Sequence, residues 1–270
     1  MFPISRRSSV QASAAAGVAT TLAQSSPARG QAASGGKPPF VLVHGAWHGG
    51  WCWKRVAPRL RAAGHEVFTP TLTGLAERRH LGGNQVNLDM HVTDIAHVLE
   101  AEELSDVILV GHSYAGMVIT GVADRTKSAL RALVYLDAFV PDNGRSALDY
   151  LAPERRAPLA RAGEATGMLN PLMALFGVTE SADVDWLNRR LTPQPYATLS
   201  QPLTLSQDGG ASLPRSFVYC SSPPSGSFGQ FAERLRNDPA WRYYELKTAH
   251  DCMITDPDGV ARVLLETANR

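Results

Sequence analysis

The sequence lacks the features that characterise several large classes of protein. It has three cysteines, an odd number at wide spacing, which matches neither a disulfide framework nor a zinc motif. Its formal net charge is +1, which gives no reason to expect a nucleic-acid partner. No apolar run is long enough to cross a bilayer. What remains is a globular chain long enough for one large domain or two small ones.

Residues 1–37 differ in composition from the rest of the chain. They are rich in Ala, Ser, Gly and Gln and contain no acidic residue. Residues 5–7 read SRR and precede a mildly apolar stretch at 10–22, a pattern similar to a twin-arginine export signal. Ser9 and Gln11 depart from that pattern. We predict export to the periplasm or the medium. The alternative is a disordered N-terminal extension on a cytoplasmic protein.

From residue 38 onward, short apolar runs alternate with segments of helical periodicity. The predicted strands are 40–43, 66–68, 107–110, 132–136, 216–220 and 241–246. The predicted helices are 53–63, 88–104, 114–124, 228–236 and 257–268. This alternation predicts an α/β fold, a mostly parallel, doubly wound sheet covered by helices on both faces.

The stretch at about 145–210 interrupts this alternation. It is rich in Pro, Ala, Leu and Met and shows helical segments but no clear strand. We therefore predict one domain over 38–270, with a helical cap at about 145–210 that covers the carboxyl edge of the sheet.

Residues 111–116 read GHSYAG and lie between a buried strand and a helix. A serine in such a tight turn is the nucleophile-elbow arrangement, in which the hydroxyl projects from the end of the sheet. Ala115 stands where the usual pattern has glycine, and Gly116 follows it, so we interpret the motif as a tolerated variant. The sequence predicts Ser113 as a nucleophile.

A serine nucleophile needs a base and donors for the oxyanion. His250 follows the last predicted strand and precedes the last helix, which fits the serine-first, histidine-last order of one hydrolase class. The other seven histidines are predicted to be structural or solvated. The backbone N–H groups of Tyr114, after the serine, and of Ala46, in the first strand–helix loop, are predicted to form the oxyanion hole.

Together these segments resemble the α/β-hydrolase superfamily. The resemblance rests on residues 40–53, 73–75, 111–116, 136–141 and 249–253. Within the superfamily the chain is similar to the small esterases that include plant methyl esterases and hydroxynitrile lyases. The resemblance implies hydrolysis of carboxylic esters through an acyl-enzyme, with no metal and no cofactor.

The expected position of the third triad member carries no acid. The family usually places an aspartate in the loop that here spans 221–229, and this loop has no carboxylate. Glu233 comes next but lies too far along the following helix. We predict instead that Asp137, at the end of the strand after the elbow unit, orients His250. The alternatives are a purely structural Asp137, or an orienting role for Asp251, Asp142, or Ser221 or Ser222 with water.

The predicted partner is a small ester. In the lyases of this branch, a threonine follows the first histidine of the oxyanion loop and a lysine follows the catalytic histidine, whereas here Gly45 and Asp251 stand in those places. The apolar residues near the loops and in the cap favour a bulky apolar or aromatic substrate, namely Trp47, Trp51, Met168, Leu169, Leu172, Met173, Leu175 and Phe176.

The rival functions are an amidase, lactonase or C–C hydrolase with the same triad, or a non-catalytic binding protein on a hydrolase scaffold. Cys220 and Cys252 each lie near a predicted catalytic loop. A disulfide between them is one alternative, and reduced packing residues are the one that we favour.

Overall fold

The computed structural model describes residues 36–269. Within them, six parallel strands form one sheet in the order β2-β1-β3-β4-β7-β8. These strands are β1 (Phe40–Val43), β2 (Val67–Phe68), β3 (Val107–His112), β4 (Leu130–Leu136), β7 (Arg215–Cys220) and β8 (Trp241–Leu246). The predicted parallel α/β sheet is confirmed. Each of its strands lies within two residues of its predicted bounds.

Two further strands, β5 (Met168–Leu169) and β6 (Gln194–Pro195), form a separate antiparallel pair. The helices of the described residues are α1 (Ala57–Ala62), α2 (Leu88–Ala101), α3 (Ala115–Thr126), α4 (Pro153–Thr166), α5 (Ser181–Asn188), α6 (Tyr196–Ser200), α7 (Gly229–Leu235), α8 (Cys252–Thr255) and α9 (Pro257–Ala268). Five 3₁₀ segments accompany them, at Gly50–Arg55, Ala76–Leu81, Lys127–Ala129, Ala147–Tyr150 and Met173–Leu175.

The core has two layers, one on each face of the sheet. Side chains alternate along a strand, so neighbouring residues contribute to opposite layers. Val41 and Leu109 pack with α2, α3 and α7 on one face, whereas Leu42 and Ile108 pack with α1, α8 and α9 on the other. This double cover explains why β1 and β3 are apolar without alternation and fully buried.

The segment between β4 and β7 carries α4, α5 and α6. The sequence showed helical segments and no clear strand at about 145–210, and the structure adds the short antiparallel pair of β5 and β6 there. Each of these strands has two residues, too few to show an alternating pattern. The bounds of a cap at 145–210 stay a prediction.

Two further differences concern local structure and the N-terminus. The helix predicted at 53–63 begins as the 3₁₀ segment Gly50–Arg55 and becomes α-helical at Ala57, with Pro58 in the first turn. The export signal predicted in residues 1–37 lies almost wholly outside the described residues. In the described part of the chain, no helix is both long enough and apolar enough to cross a membrane.

Candidate active site

Ser113 lies in the sharp turn between β3 and α3, at the carboxyl edge of the sheet. Its φ of 55° is in the left-handed region, which residues other than glycine rarely adopt. The Ser113 N–H donates to Leu136 O (3.2 Å), and its carbonyl accepts from the Phe139 N–H (3.1 Å). These two bonds, to the end of β4 and to the loop after it, hold the turn at the edge of a cavity that Ser113 lines.

The departure at Ala115 has a structural explanation. A Cβ on Gly116 would lie 1.9 Å from Phe139 O, and one on Gly111 would lie 2.7 Å from Ala115 O. The close backbone approaches therefore occur at Gly111 and Gly116. Ala115 itself is fully buried in the first turn of α3.

The structure brings Ser113, His250 and Asp137 into one hydrogen-bonded chain. His250 Nε2 lies 2.9 Å from Ser113 Oγ, and His250 Nδ1 lies 2.6 Å from Asp137 Oδ2. A carboxylate accepts, so Nδ1 carries the proton and Nε2 can accept from the serine hydroxyl. Asp137 Oδ1 also accepts from the Cys220 N–H (3.2 Å), which fixes the carboxylate.

Burial shapes the electrostatics of this chain. Asp137 is 0% and His250 6% exposed. Burial raises the pKa of Asp137, while the hydrogen bonds from His250 and the Cys220 N–H oppose that rise. The His250 ring stacks on Phe228 with ring centroids 5.0 Å apart, and the His112 ring lies 4.6 Å from it on centroids. The imidazole is thus held by packing as well as by hydrogen bonds.

The other candidates for the acid face elsewhere. Asp142 bonds the Tyr150 hydroxyl, and Asp251 Oδ2 bonds His48 Nε2 (3.0 Å). Ser221 Oγ is 3.4 Å from Leu246 O. Ser222 and Glu233 have exposed side chains. Among the described carboxylates, Asp137 is the one hydrogen-bonded to His250.

Ala46 and Tyr114, whose backbone N–H groups are the predicted oxyanion donors, both line the same cavity. Neither N–H group donates to another group of the described residues. Unpaired amides beside a serine hydroxyl are the feature expected of an oxyanion hole. Gly45 allows the loop to come this close, because a Cβ there would lie 2.9 Å from Ser113 Cβ.

His44 orients the Gly45–Ala46 peptide. Its Nε2 accepts from the Leu72 N–H (3.1 Å), so Nδ1 carries the proton and donates to Gly45 O (2.8 Å). Burial lowers the pKa of His44 to about 3, which keeps the ring neutral. With its carbonyl held by His44, this peptide leaves the Ala46 N–H unpaired at the cavity.

A second buried histidine–aspartate pair lies beneath the oxyanion loop. His48 Nδ1 is 2.8 Å from Ala46 O and Nε2 is 3.0 Å from Asp251 Oδ2, so both nitrogens donate and the ring is an imidazolium. Burial lowers the pKa of His48, but the charge of Asp251 and the hydrogen bonds to Asp251 and Ala46 O together outweigh burial, and the net shift is upward. The pair joins the oxyanion loop to the residue after His250, and the sequence offered no pairing pattern from which to predict it.

The cavity at Ser113 is mostly apolar. It is bounded by residues from the loop after β1, the turn at Ser113, the segment between β4 and β7, and the loops after β7 and β8. These residues are Ala46, Trp47, Ser113, Tyr114, Phe139, Ala147, Leu148, Leu151, Arg155, Leu159, Leu175, Phe176, Leu199, Ser225, Ser227, Phe228 and His250. Of the apolar residues considered from sequence, Trp47, Leu175 and Phe176 line it, while Trp51 stacks on His48 instead. Arg155, Leu159, Leu199 and the serines at 225 and 227 also line the cavity, and no sequence motif pointed to them.

Among residues 36–269, one group of side chains could hold a metal ion on distance alone. Ligand atoms of His112, His250 and Asp251 lie within 4.8 Å of one another. Both ring nitrogens of His250 are engaged by Asp137 and Ser113, so a cation here would have to break that chain. Cys220 and Cys252 are buried free thiols and form no disulfide in the structure.

Comparison with known sequences identifies relatives along most of the chain. The sequence profile described as "Alpha/beta hydrolase family" matches residues 40–263. A carbendazim hydrolyzing esterase of Nocardioides sp. (strain SG-4G) is 45% identical over 236 residues, covering 83% of this chain and 97% of that protein. Methylesterase 9 of Arabidopsis thaliana is 26% identical over 251 residues, covering 86% and 98% respectively.

Comparison with solved structures gives a similar picture. An extracellular alpha/beta-hydrolase from a Paenibacillus species, described as sharing structural and functional homology with tobacco salicylic acid binding protein 2, superposes with a TM-score of 0.76. It is 25% identical and is covered in full, over 86% of this chain.

Proposed function

The chain belongs to the alpha/beta hydrolase family, and from that premise we propose a serine mechanism at Ser113 on esters with a bulky apolar part. Both the family and ester hydrolysis were predicted from the sequence and are confirmed. The chain is a carboxylic-ester hydrolase, as its 45% identity to an esterase over 83% of its length supports. The identities of the catalytic residues and the kind of ester are our proposal.

The hydrogen-bonded chain from Ser113 through His250 to Asp137 is the observation that carries the mechanism. Ser113 Oγ attacks the ester carbonyl and its proton passes to His250 Nε2. Asp137 holds the ring in the tautomer that can accept this proton and stabilises the imidazolium that forms. His250 then gives the proton to the leaving alcohol, and water activated by the same ring releases the acid.

The unpaired N–H groups of Ala46 and Tyr114 stabilise the charge that develops on the carbonyl oxygen. Such donors contribute most when they are already oriented and shielded from water. His44 binds the Gly45 carbonyl and His48 binds the Ala46 carbonyl, so this loop needs little rearrangement when the tetrahedral intermediate forms.

The lining of the cavity supports an apolar acyl or alcohol group. Trp47, Phe139, Phe176 and Phe228 contribute aromatic surface, and five leucines contribute aliphatic surface. Removal of apolar surface from water is favourable at roughly 25 cal/mol per Å². A substrate with a ring or a branched chain therefore gains more here than an acetate ester does.

A panel of methyl and p-nitrophenyl esters with acyl groups from acetyl to aromatic tests this proposal. We expect kcat/KM to rise from acetyl to acyl groups of medium chain length or with an aromatic ring. Ser113→Ala should lower kcat by orders of magnitude. Ser222→Ala, at an exposed serine, serves as the matched control and should leave turnover unchanged. Turnover of amides but of no ester in the panel would contradict the proposal.

We also propose that the enzyme is exported through the arginine pair at Arg6 and Arg7. The support is the pattern in residues 1–37 and the description of one relative in the family as extracellular. Expressed in full, the chain is expected outside the cytoplasm in shortened form. Changing both arginines to lysine should retain it inside at full mass, whereas Arg29→Lys should not. Equal cytoplasmic retention of all three proteins would overturn the idea.

A further inference from the structure

The apolar cavity at Ser113 contains one permanently charged side chain. Arg155, in the first turn of α4, is the sole arginine or lysine among the described residues that line it, and no aspartate or glutamate joins it there. Leu159 lies four residues further along α4 and lines the cavity too, so the two side chains share one face of the helix. The helix thus directs a guanidinium toward the cavity.

The hydrogen-bond partners of Arg155 are neutral. Its Nη1 donates to Ser227 Oγ (2.9 Å) and lies 3.5 Å from Ser225 O. No described carboxylate forms a salt bridge with it. The next residue behaves differently, because Arg156 pairs with Asp149 at 3.0 Å on the surface. A half-buried guanidinium without a counter-charge keeps unused donors and loses part of its hydration.

A second polar group at the same place is also unsatisfied. Ser225 lines the cavity, and its Oγ is buried and has no hydrogen-bond partner among the described residues. Buried hydroxyls are nearly always hydrogen-bonded, so one without a partner requires an explanation. Arg155 and Ser225 together leave at least two hydrogen-bonding groups available at one wall of an otherwise apolar site.

This wall adjoins the reacting groups. Ser227, which accepts from Arg155, precedes Phe228, and Phe228 stacks on the His250 ring. The loop at 221–229, which lacks the acid of the usual triad, therefore helps to build the polar wall. Because Arg155 and Ser113 line the same cavity, one small molecule bound there can contact both.

We propose that Arg155 and Ser225 form a binding subsite for a hydrogen-bond-accepting group, best a carboxylate, carried by the ester substrate away from the ester bond. The inference rests on the proposed function and narrows its substrate class to apolar esters with one acceptor group. Arginine suits this role because its fork of N–H donors matches the two oxygens of a carboxylate. Arg155 is in this view a specificity-determining residue and takes no part in proton transfer.

The test uses matched esters that differ only in the acceptor. One pair is monomethyl terephthalate and methyl 4-methylbenzoate, and the other is monomethyl adipate and methyl hexanoate. In at least one pair we expect Arg155→Met to raise KM for the acid-bearing ester by roughly 10- to 100-fold, with kcat little changed. For the ester of the pair that lacks the acid, KM should rise by less than about threefold. Arg155→Lys should recover part of the binding of the acid-bearing ester.

Arg156→Met is the matched control, because its side chain is 52% exposed and pairs with Asp149 outside the cavity. It should leave both members of each pair unchanged. An equal rise in KM for both members of a pair in Arg155→Met would show that Arg155 only holds α4 against the loop at 221–229. That result would overturn the inference. Unchanged KM for every ester would overturn it as well.

Binding of the product acids separates this inference from the proposed function. Calorimetric titration with terephthalate and with 4-methylbenzoate should show that Arg155→Met weakens the diacid alone. If that difference holds while no ester is turned over, the subsite stands and the proposed function fails. If both acids bind wild type and Arg155→Met equally, the subsite is excluded whatever the hydrolysis data show.

Discussion

Replacing Asp137 by asparagine is expected to lower kcat for ester hydrolysis by about 10⁴-fold, the loss seen when a triad carboxylate becomes an amide. The amide keeps the size of the side chain and can still accept from the Cys220 N–H. Its NH₂ group would favour His250 with an unprotonated Nδ1, which leaves the proton on Nε2. In that tautomer Nε2 cannot take the proton of Ser113.

Two controls separate this effect from loss of structure. Asp142→Asn changes an exposed carboxylate that bonds Tyr150, and we expect wild-type kinetics from it. Thermal unfolding of Asp137→Asn should stay cooperative, since the packing of His250 against Phe228 does not depend on the charge. Near-normal kcat in a folded Asp137→Asn protein would remove Asp137 from the mechanism.

The second large effect concerns acid stability. We expect the free energy of unfolding to fall by roughly 5 kcal/mol between pH 6.5 and pH 5 because of three buried neutral histidines. Burial lowers the pKa of His44 to about 3 and of His91 to about 4, and lowers that of His112 well below its ordinary value. In the unfolded chain each ring has a pKa of about 6.5, so below that pH each ring takes up a proton on unfolding.

The sign follows from which state binds protons. Below pH 6.5 the unfolded chain holds protons on these three rings and the folded chain does not, so stability falls as pH falls toward the folded pKa values. The raised pKa of His48 acts in the opposite sense, and its stabilisation is fully present below about pH 6.5 and lost above it. His48 therefore does not offset the loss on the acid side.

Denaturant unfolding at several pH values between 5 and 6.5 measures this slope. His91→Gln should reduce the slope by about one third, since one of the three proton sites is gone. His97→Gln, at an exposed histidine, should leave the slope unchanged. A stability that is flat across this range would contradict the assignment of these rings as neutral and buried.

Much of the fold could be predicted from local sequence. The strands β1 and β3 are buried on both faces, so their continuous apolar runs identified them as strands. The elements β8 and α9 begin and end where the pattern predicted. The β5–β6 pair could not be predicted, because strands of two residues leave no periodic pattern. The 3₁₀ segment before α1 could not be predicted either, because its apolar residues have a spacing that fits an α-helix equally well.

The site was predictable where a residue's place in the chain fixes its place on the sheet edge. Ser113, Asp137 and His250 follow three different strands of a parallel sheet, and the carboxyl ends of such strands meet at one edge. Other contacts depend on the direction of side chains that are far apart in the sequence. His48 and Asp251 are about 200 residues apart, and Arg155 is about 70 residues from the loop that it contacts. Sequence patterns carry no information about such contacts.

Reaction with a fluorophosphonate probe, followed by peptide mass mapping, tests the central claim most directly. We predict one covalent adduct, on Ser113, forming rapidly in the wild-type protein and more slowly by orders of magnitude in Asp137→Asn. Ser113→Ala should form none. An adduct on another residue, no adduct at all, or equal rates in the wild-type protein and Asp137→Asn would contradict a serine nucleophile activated through Asp137.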